Sequence, residues 1–116
     1  MDNNISYLDV SDCPQLDHLA CTSNSLTSVD VRNNPLLTTL DCGENSLSSV
    51  DVGGNPLLEY LNCVSCGMTR LDVSDNPALV NLYCYDNDLS DIDLSHNTNL
   101  EGKSSSRSTI ESPHTI

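Results

Sequence analysis

From Leu8 onward the chain repeats itself at an interval of 21 residues, with no insertion or deletion. The rows are "LDVSDCPQLDHLACTSNSLTS" from Leu8, "VDVRNNPLLTTLDCGENSLSS" from Val29, "VDVGGNPLLEYLNCVSCGMTR" from Val50 and "LDVSDNPALVNLYCYDNDLSD" from Leu71. A fifth row opens as "IDLSHNTNL" at Ile92 and then loses the pattern. A strict short repeat removes most folds from consideration: each unit is too small to bury its own apolar side, so it is stable only when stacked on its neighbours.

Down the columns the same chemistry recurs. Leu19, Leu40, Leu61 and Leu82 align, as do Cys21, Cys42, Cys63 and Cys84, and then Leu26, Leu47, Met68 and Leu89. A polar column holds Asn24, Asn45, Cys66 and Asn87, with Asn3 one row earlier. Each row also contains a weaker copy of itself: Leu19, Cys21, Asn24 and Leu26 have the spacing of Val29, Val31, Asn34 and Leu37. Both halves alternate apolar and polar residues with the period of two that an extended segment requires. The Asn-Pro steps at Asn34, Asn55 and Asn76 mark a corner, because Pro fixes its own φ and turns the preceding residue away from helix. The expectation is a solenoid, mostly β, with parallel strands on one face, extended segments and turns on the other, and little or no helix. Coils spaced at roughly 4.8 Å would merge the Leu, Val and Cys columns into one core.

Composition agrees. The chain has 116 residues, room for one small domain, and contains no Phe and no Trp, so its core is built from uniform small aliphatic and sulfur side chains. Seventeen acidic residues against four basic ones, Arg32, Arg70, Lys103 and Arg107, give a formal charge of −13. Phosphate contacts need clustered cations, so a nucleic-acid partner is excluded, and an anionic membrane surface is disfavoured. No apolar run approaches the roughly 20 residues that span a bilayer. The start "MDNNISYLDV" has neither a basic segment nor an apolar one, hence no visible signal peptide. Either the chain is intracellular or its start has been cut away.

The motif L-x-x-L-x-C-x-x-N-x-L, present as "LDHLACTSNSL" and "LTTLDCGENSL" and followed by "VDVRNNP", resembles the conserved segment of leucine-rich repeats. It is similar to their short, cysteine-containing class, found in bacterial surface proteins of the internalin J type. The resemblance covers about residues 3 to 100. It implies a concave parallel sheet and a role in extracellular adhesion or recognition, and in that class the Asn position can be Cys, as at Cys66. The repeat array is expected over residues 1 to 100. Met1 enters in mid-repeat, no polar cap precedes it, and "EGKSSSRSTIESPHTI" breaks the columns, so residues 101 to 116 are expected to be a disordered Ser/Thr-rich tail and the chain a fragment of a longer protein.

Cys63 and Cys66 have the spacing of a zinc or redox motif, yet they belong to two different columns. Zinc needs a second ligand pair, which the chain does not offer. Stacked thiols about 5 Å apart point in parallel, whereas a disulfide brings its Cβ atoms to about 3.5 to 4.5 Å, so buried free thiols are expected, with a disulfide through Cys13 or Cys66 as the alternative. The column Asp9, Asp30, Asp51, Asp72 and Asp93 is expected to face solvent, its neighbours repelling by roughly 0.8 kcal/mol. One carboxylate per coil is too few for calcium. His18, His96 and His114 are far apart in the repeat, and no nucleophile motif or phosphate loop is present, which argues against an enzyme and against any cofactor.

The side chains flanking the inward Leu and Cys columns should face outward on the concave sheet. Three of the four tyrosines fall there, in two successive rows. The candidate binding residues are therefore Tyr60, Asn62, Asn81, Tyr83, Tyr85 and Asp86, facing a protein or glycan partner.

Overall fold

In the computed structural model, residues 5 to 89 and 92 to 100 are described. Four short strands, β1 (His18–Ala20), β2 (Thr39–Asp41), β3 (Tyr60–Asn62) and β4 (Asn81–Tyr83), form one parallel sheet in sequence order. The register is the repeat itself: Leu19 faces Leu40, Leu40 faces Leu61, and Leu61 faces Leu82. An identical interval in every coil leaves no other register available, because a slip by one residue would turn each Leu out to solvent. No helix occurs among the described residues. The expected tail at 101 to 116 lies outside them.

The core follows the columns. Leu26, Leu37, Leu40, Leu47, Leu58, Leu61, Met68, Leu79 and Leu82 are fully buried, joined by Val31, Val52, Cys42, Cys63 and Cys84. Past each ladder cysteine the backbone continues the pairing, with the Cys21, Cys42 and Cys63 amides each donating at 2.8 Å to the next coil, to Asp41, Asn62 and Tyr83. Two residues beyond, Ser23, Glu44, Ser65 and Asp86 adopt left-handed φ near 58°. That region costs an ordinary L residue about 1 to 2 kcal/mol, so the sharp turn out of the strand is imposed by stacking in every coil.

On the opposite half the extended segments pair far less than the first, in keeping with the weaker copy there in the sequence. Among the described residues only one isolated bridge, Asp30 to Asp51, joins neighbouring "VDV" stretches. The coils there are held instead by side chains. Asn55 donates through Nδ2 to the Val31 and Asn34 carbonyls at 3.0 Å, and Asn76 to those of Val52 and Asn55 at 2.9 Å. Asn34 does the same to Val10 and Cys13, and Asn97 to Val73 and Asn76. This second asparagine ladder is more deeply buried than the one anticipated at residues 24, 45 and 87, where Asn45 is buried but Asn24 and Asn87 are half-buried. Its first rung is Cys13, which is exposed.

In the first ladder Asn45 works in both directions, accepting from the Leu26 amide at 2.9 Å and donating to the carbonyls of Cys21, Cys42 and Gly43. Where Cys66 replaces Asn, the thiol keeps the donating task in weaker form. Its Sγ lies 3.3 Å from the Cys42 carbonyl and 3.5 Å from that of Val64. Burial raises its pKa, and the Asn45, Glu44 and Leu47 amides directed at the sulfur draw it back down.

All six cysteines are free thiols, and only Cys13 is exposed. A thiol reagent should therefore modify a single cysteine quickly in the native chain and the other five only after denaturation. Rapid labelling of Cys66 alongside Cys13, read by peptide mass mapping, would show that the coil around "LNCVSCGM" opens.

Candidate functional site

The strands are three residues long because only the central Leu of each is inward; the two flanking residues face out. Stacking in register turns them into rows across the concave face. One row runs His18, Thr39, Tyr60, Asn81, and the next runs Ala20, Asp41, Asn62, Tyr83. Each candidate residue lands at a defined point. Tyr60 sits beside Asn81, Asn62 lies beside Tyr83, and Tyr60 meets Tyr83 on the diagonal.

That diagonal is a contact: the two ring centroids are 5.5 Å apart at an interplanar angle of 54°. Tilted aromatic pairs at this separation add about 0.5 to 1.5 kcal/mol beyond simple burial and fix both rings. Tyr60 and Tyr83 are half-buried, so each ring has one side supported and one side open. Tyr85, a step past the end of β4, is exposed at 43%. Burial raises the pKa of the Tyr60 phenol, the Asp41 carboxylate beside it and Tyr83 raise it further, and a hydrogen bond with Asn62 opposes them. Asn62 also accepts from the Val64 amide at 3.0 Å, which orients its side chain. Gly43 makes room for that arrangement, since a Cβ there would lie 3.2 Å from Asn62 Oδ1 and 3.3 Å from the Val64 carbonyl.

Carboxylates border the tyrosines, and each is positioned by a hydroxyl of the coil before it. Thr22 donates to Asp41 Oδ1 at 2.8 Å, Ser65 donates to Asp86 Oδ2 at 2.6 Å, and Ser23 donates to Glu44 Oε1. Asp86 was expected among the site residues; Asp41 and Glu44 were not. They are recognisable only once the coils are stacked, because each hydroxyl and its carboxylate are 19 or 21 residues apart.

The acidic column behaves differently. Asp9, Asp72 and Asp93 each accept from the hydroxyl or amide of the serine two residues on, which lowers their pKa values. Asp30 is paired with Arg32 at 2.8 Å and falls to about 2. All are exposed, and each is satisfied within its own turn. Among the described residues no three His, Cys, Asp or Glu side chains converge as a metal ion would require.

A scan of family models finds no match to the chain, and neither does a comparison with curated proteins. A solved structure does match: the functional domain of InlJ from Listeria monocytogenes, described as including a cysteine ladder, is 42% identical, with a TM-score of 0.84 over 85% of this chain. The chain is a leucine-rich repeat array of the cysteine-ladder class. It spans 22% of the length of the matched chain. In this cysteine-ladder array Cys63 and Cys66 belong to two different columns. Cys63 is a rung in contact with Cys84, and Cys66 substitutes for a ladder asparagine. No helix among the described residues is long and apolar enough to cross a membrane.

Proposed function

We propose that the array is a non-catalytic recognition module of a bacterial cell-surface or secreted protein, binding a protein or glycan on its concave sheet through Tyr60, Asn62, Asn81, Tyr83, Tyr85 and Asp86. The observation that carries this reading is the Tyr60–Tyr83 pair, held at 5.5 Å on a face that nothing else in the described chain covers, with Tyr85 exposed beside it. Rigid aromatic surface with a polar tip is what binding hot spots are made of, and it loses little conformational entropy when a partner arrives. Similarity to a domain of InlJ supports a surface role.

Replacing both Tyr83 and Tyr85 with Ala should weaken capture of whichever glycan or peptide an array identifies by at least about 30-fold, on the usual hot-spot scale. The thiols should remain shielded, showing that the fold survives. Undiminished capture by the double variant would remove the site from this face. A second reading, coils that only space other domains apart, is favoured by the uninterrupted register from β1 to β4. It would be supported if no glycan or peptide bound at all.

A further inference from the structure

We infer that the partner of the concave face is a cationic protein segment, whose Lys or Arg side chains lie against the Tyr60–Tyr83 pair and between the carboxylates of Asp41, Glu44 and Asp86. This rests on the proposal that the concave face is the binding surface, and it specifies the chemistry of what binds there.

Charge distribution is the first argument. The chain carries 17 acidic residues, but on this face the acids are not simply scattered. Asp41 is in the row next to Tyr60 and perturbs its phenol, while Glu44 and Asp86 occupy the same left-handed position at the strand ends of alternate coils. Each is anchored through one oxygen by a hydroxyl from the preceding coil, so the other oxygen is presented in a fixed direction. Anchoring of this kind lowers the entropy lost when an ion pair forms.

The second argument is the placement of the positive groups. Arg32 is committed to Asp30, and Arg70 lines a notch with Asp51 and Asp72, both on the acidic column away from the sheet. Among the described residues the concave rows carry no Lys or Arg, and His18 stands on the edge strand β1, two strands from Tyr60. A face with three oriented carboxylates and no compensating cation repels acidic partners and draws basic ones.

The rings supply the third argument. A guanidinium or ammonium over a tyrosine face gains a cation–π attraction, stronger when partly desolvated as these half-buried rings would be under a partner. Neighbouring carboxylates reinforce that geometry. A neutral sugar would use the rings but have little use for three charges, and a sialylated or sulfated one would be opposed by them.

The test selects binders to the full chain from a randomised short-peptide library and, in parallel, probes an array of neutral and acidic oligosaccharides. The expected result is enrichment of Lys- and Arg-bearing peptides whose affinity falls at least about tenfold in Asp41→Asn/Glu44→Gln and in Tyr83→Ala, with a shallower salt dependence in the first. Asp51→Asn/Asp72→Asn, which removes the same number of charges from the other face, should change affinity less than about twofold. Equal loss from both charge pairs would overturn the inference, since net charge alone would then explain the binding. Tyr83-dependent capture confined to oligosaccharides would overturn it while leaving the concave site intact. If nothing captured depends on Tyr83, the site and its partner both fall.

Discussion

Raising the pH above about 9 will unfold the array steeply, because its core is lined with thiols that ionise more readily in the unfolded chain than in the folded one. Burial lifts the Cys21 pKa from 9.0 to about 11, and lifts Cys42 well above 9.0. At Cys63 the contact with Cys84 is the larger cause and burial the next, and Cys66 moves the same way by burial. The sign follows directly. A raised folded pKa means the native state holds its proton after the unfolded chain has released it, so the thiols' contribution to stability is constant below about pH 9 and declines from there upward. Each thiol protonated only in the native state removes about 1.4 kcal/mol per pH unit. Cys42 and Cys63, both completely enclosed, therefore give a slope of about 3 kcal/mol per pH unit, with smaller additions from Cys21 and Cys66. Two such units remove about 6 kcal/mol, enough to unfold a small domain at the lower end of the usual reserve of about 5 to 15 kcal/mol. Urea titrations between pH 8 and 10.5, followed by circular dichroism, measure the slope. A Cys42→Ala variant, less stable at neutral pH, should show a slope shallower by about 1.4 kcal/mol per unit. A stability that is flat through pH 10 would mean that the ladder sulfurs are already in contact with water.

Most of this fold was legible because one interval governs the whole chain. Once Leu19, Leu40, Leu61 and Leu82 are seen to align, the strand register is determined, and so is the inward direction of the cysteines. The outward rows, and with them Tyr60, Asn62, Asn81, Tyr83 and Tyr85, follow from alternation alone, with Asp86 just beyond them. Two things did not follow. Asn34, Asn55 and Asn76 signal a corner through the prolines after them, and that signal carries nothing about their own burial. The column Cys13, Asn34, Asn55, Asn76 and Asn97 was open to view, but a polar residue in a turn suggests exposure until the stacked carbonyls it must satisfy are in place. The carboxylate anchoring was hidden for a different reason. Thr22 and Asp41 occupy different columns, while Ser23, Glu44, Ser65 and Asp86 share one in which hydroxyl and acid alternate, so a reading that looks for like residues down a column finds neither pairing.

The missed ladder should dominate the mutational response. Asn76→Ala removes the two donors that satisfy the Val52 and Asn55 carbonyls in the coil below, both at 2.9 Å, in a position with no exposure. Each carbonyl keeps one longer turn bond, from the Asn55 amide at 3.2 Å and the Leu58 amide at 3.1 Å, so what is lost is two net hydrogen bonds and the variant should lose about 1 to 3 kcal/mol. The Oδ1 of Asn76, like those of Asn34, Asn55 and Asn97, has no protein donor, so the stabilisation resides in the NH2 group. Asn76→Asp separates the two halves of the amide: it keeps the volume and one oxygen while directing a second oxygen at two carbonyls. It should therefore be at least as damaging as Ala at neutral pH, and should recover partly on acidification, when a protonated carboxyl can donate once. Position sets the scale as well. Asn34 satisfies Val10 and Cys13 in the outermost described coil, where water can replace the amide, so Asn34→Ala should cost clearly less than Asn76→Ala. Chemical denaturation of the three variants at neutral and acidic pH distinguishes these outcomes. Equal, small losses at both positions would show that the coils are held by their Leu and Cys columns alone, with the asparagines contributing only to the shape of the turn.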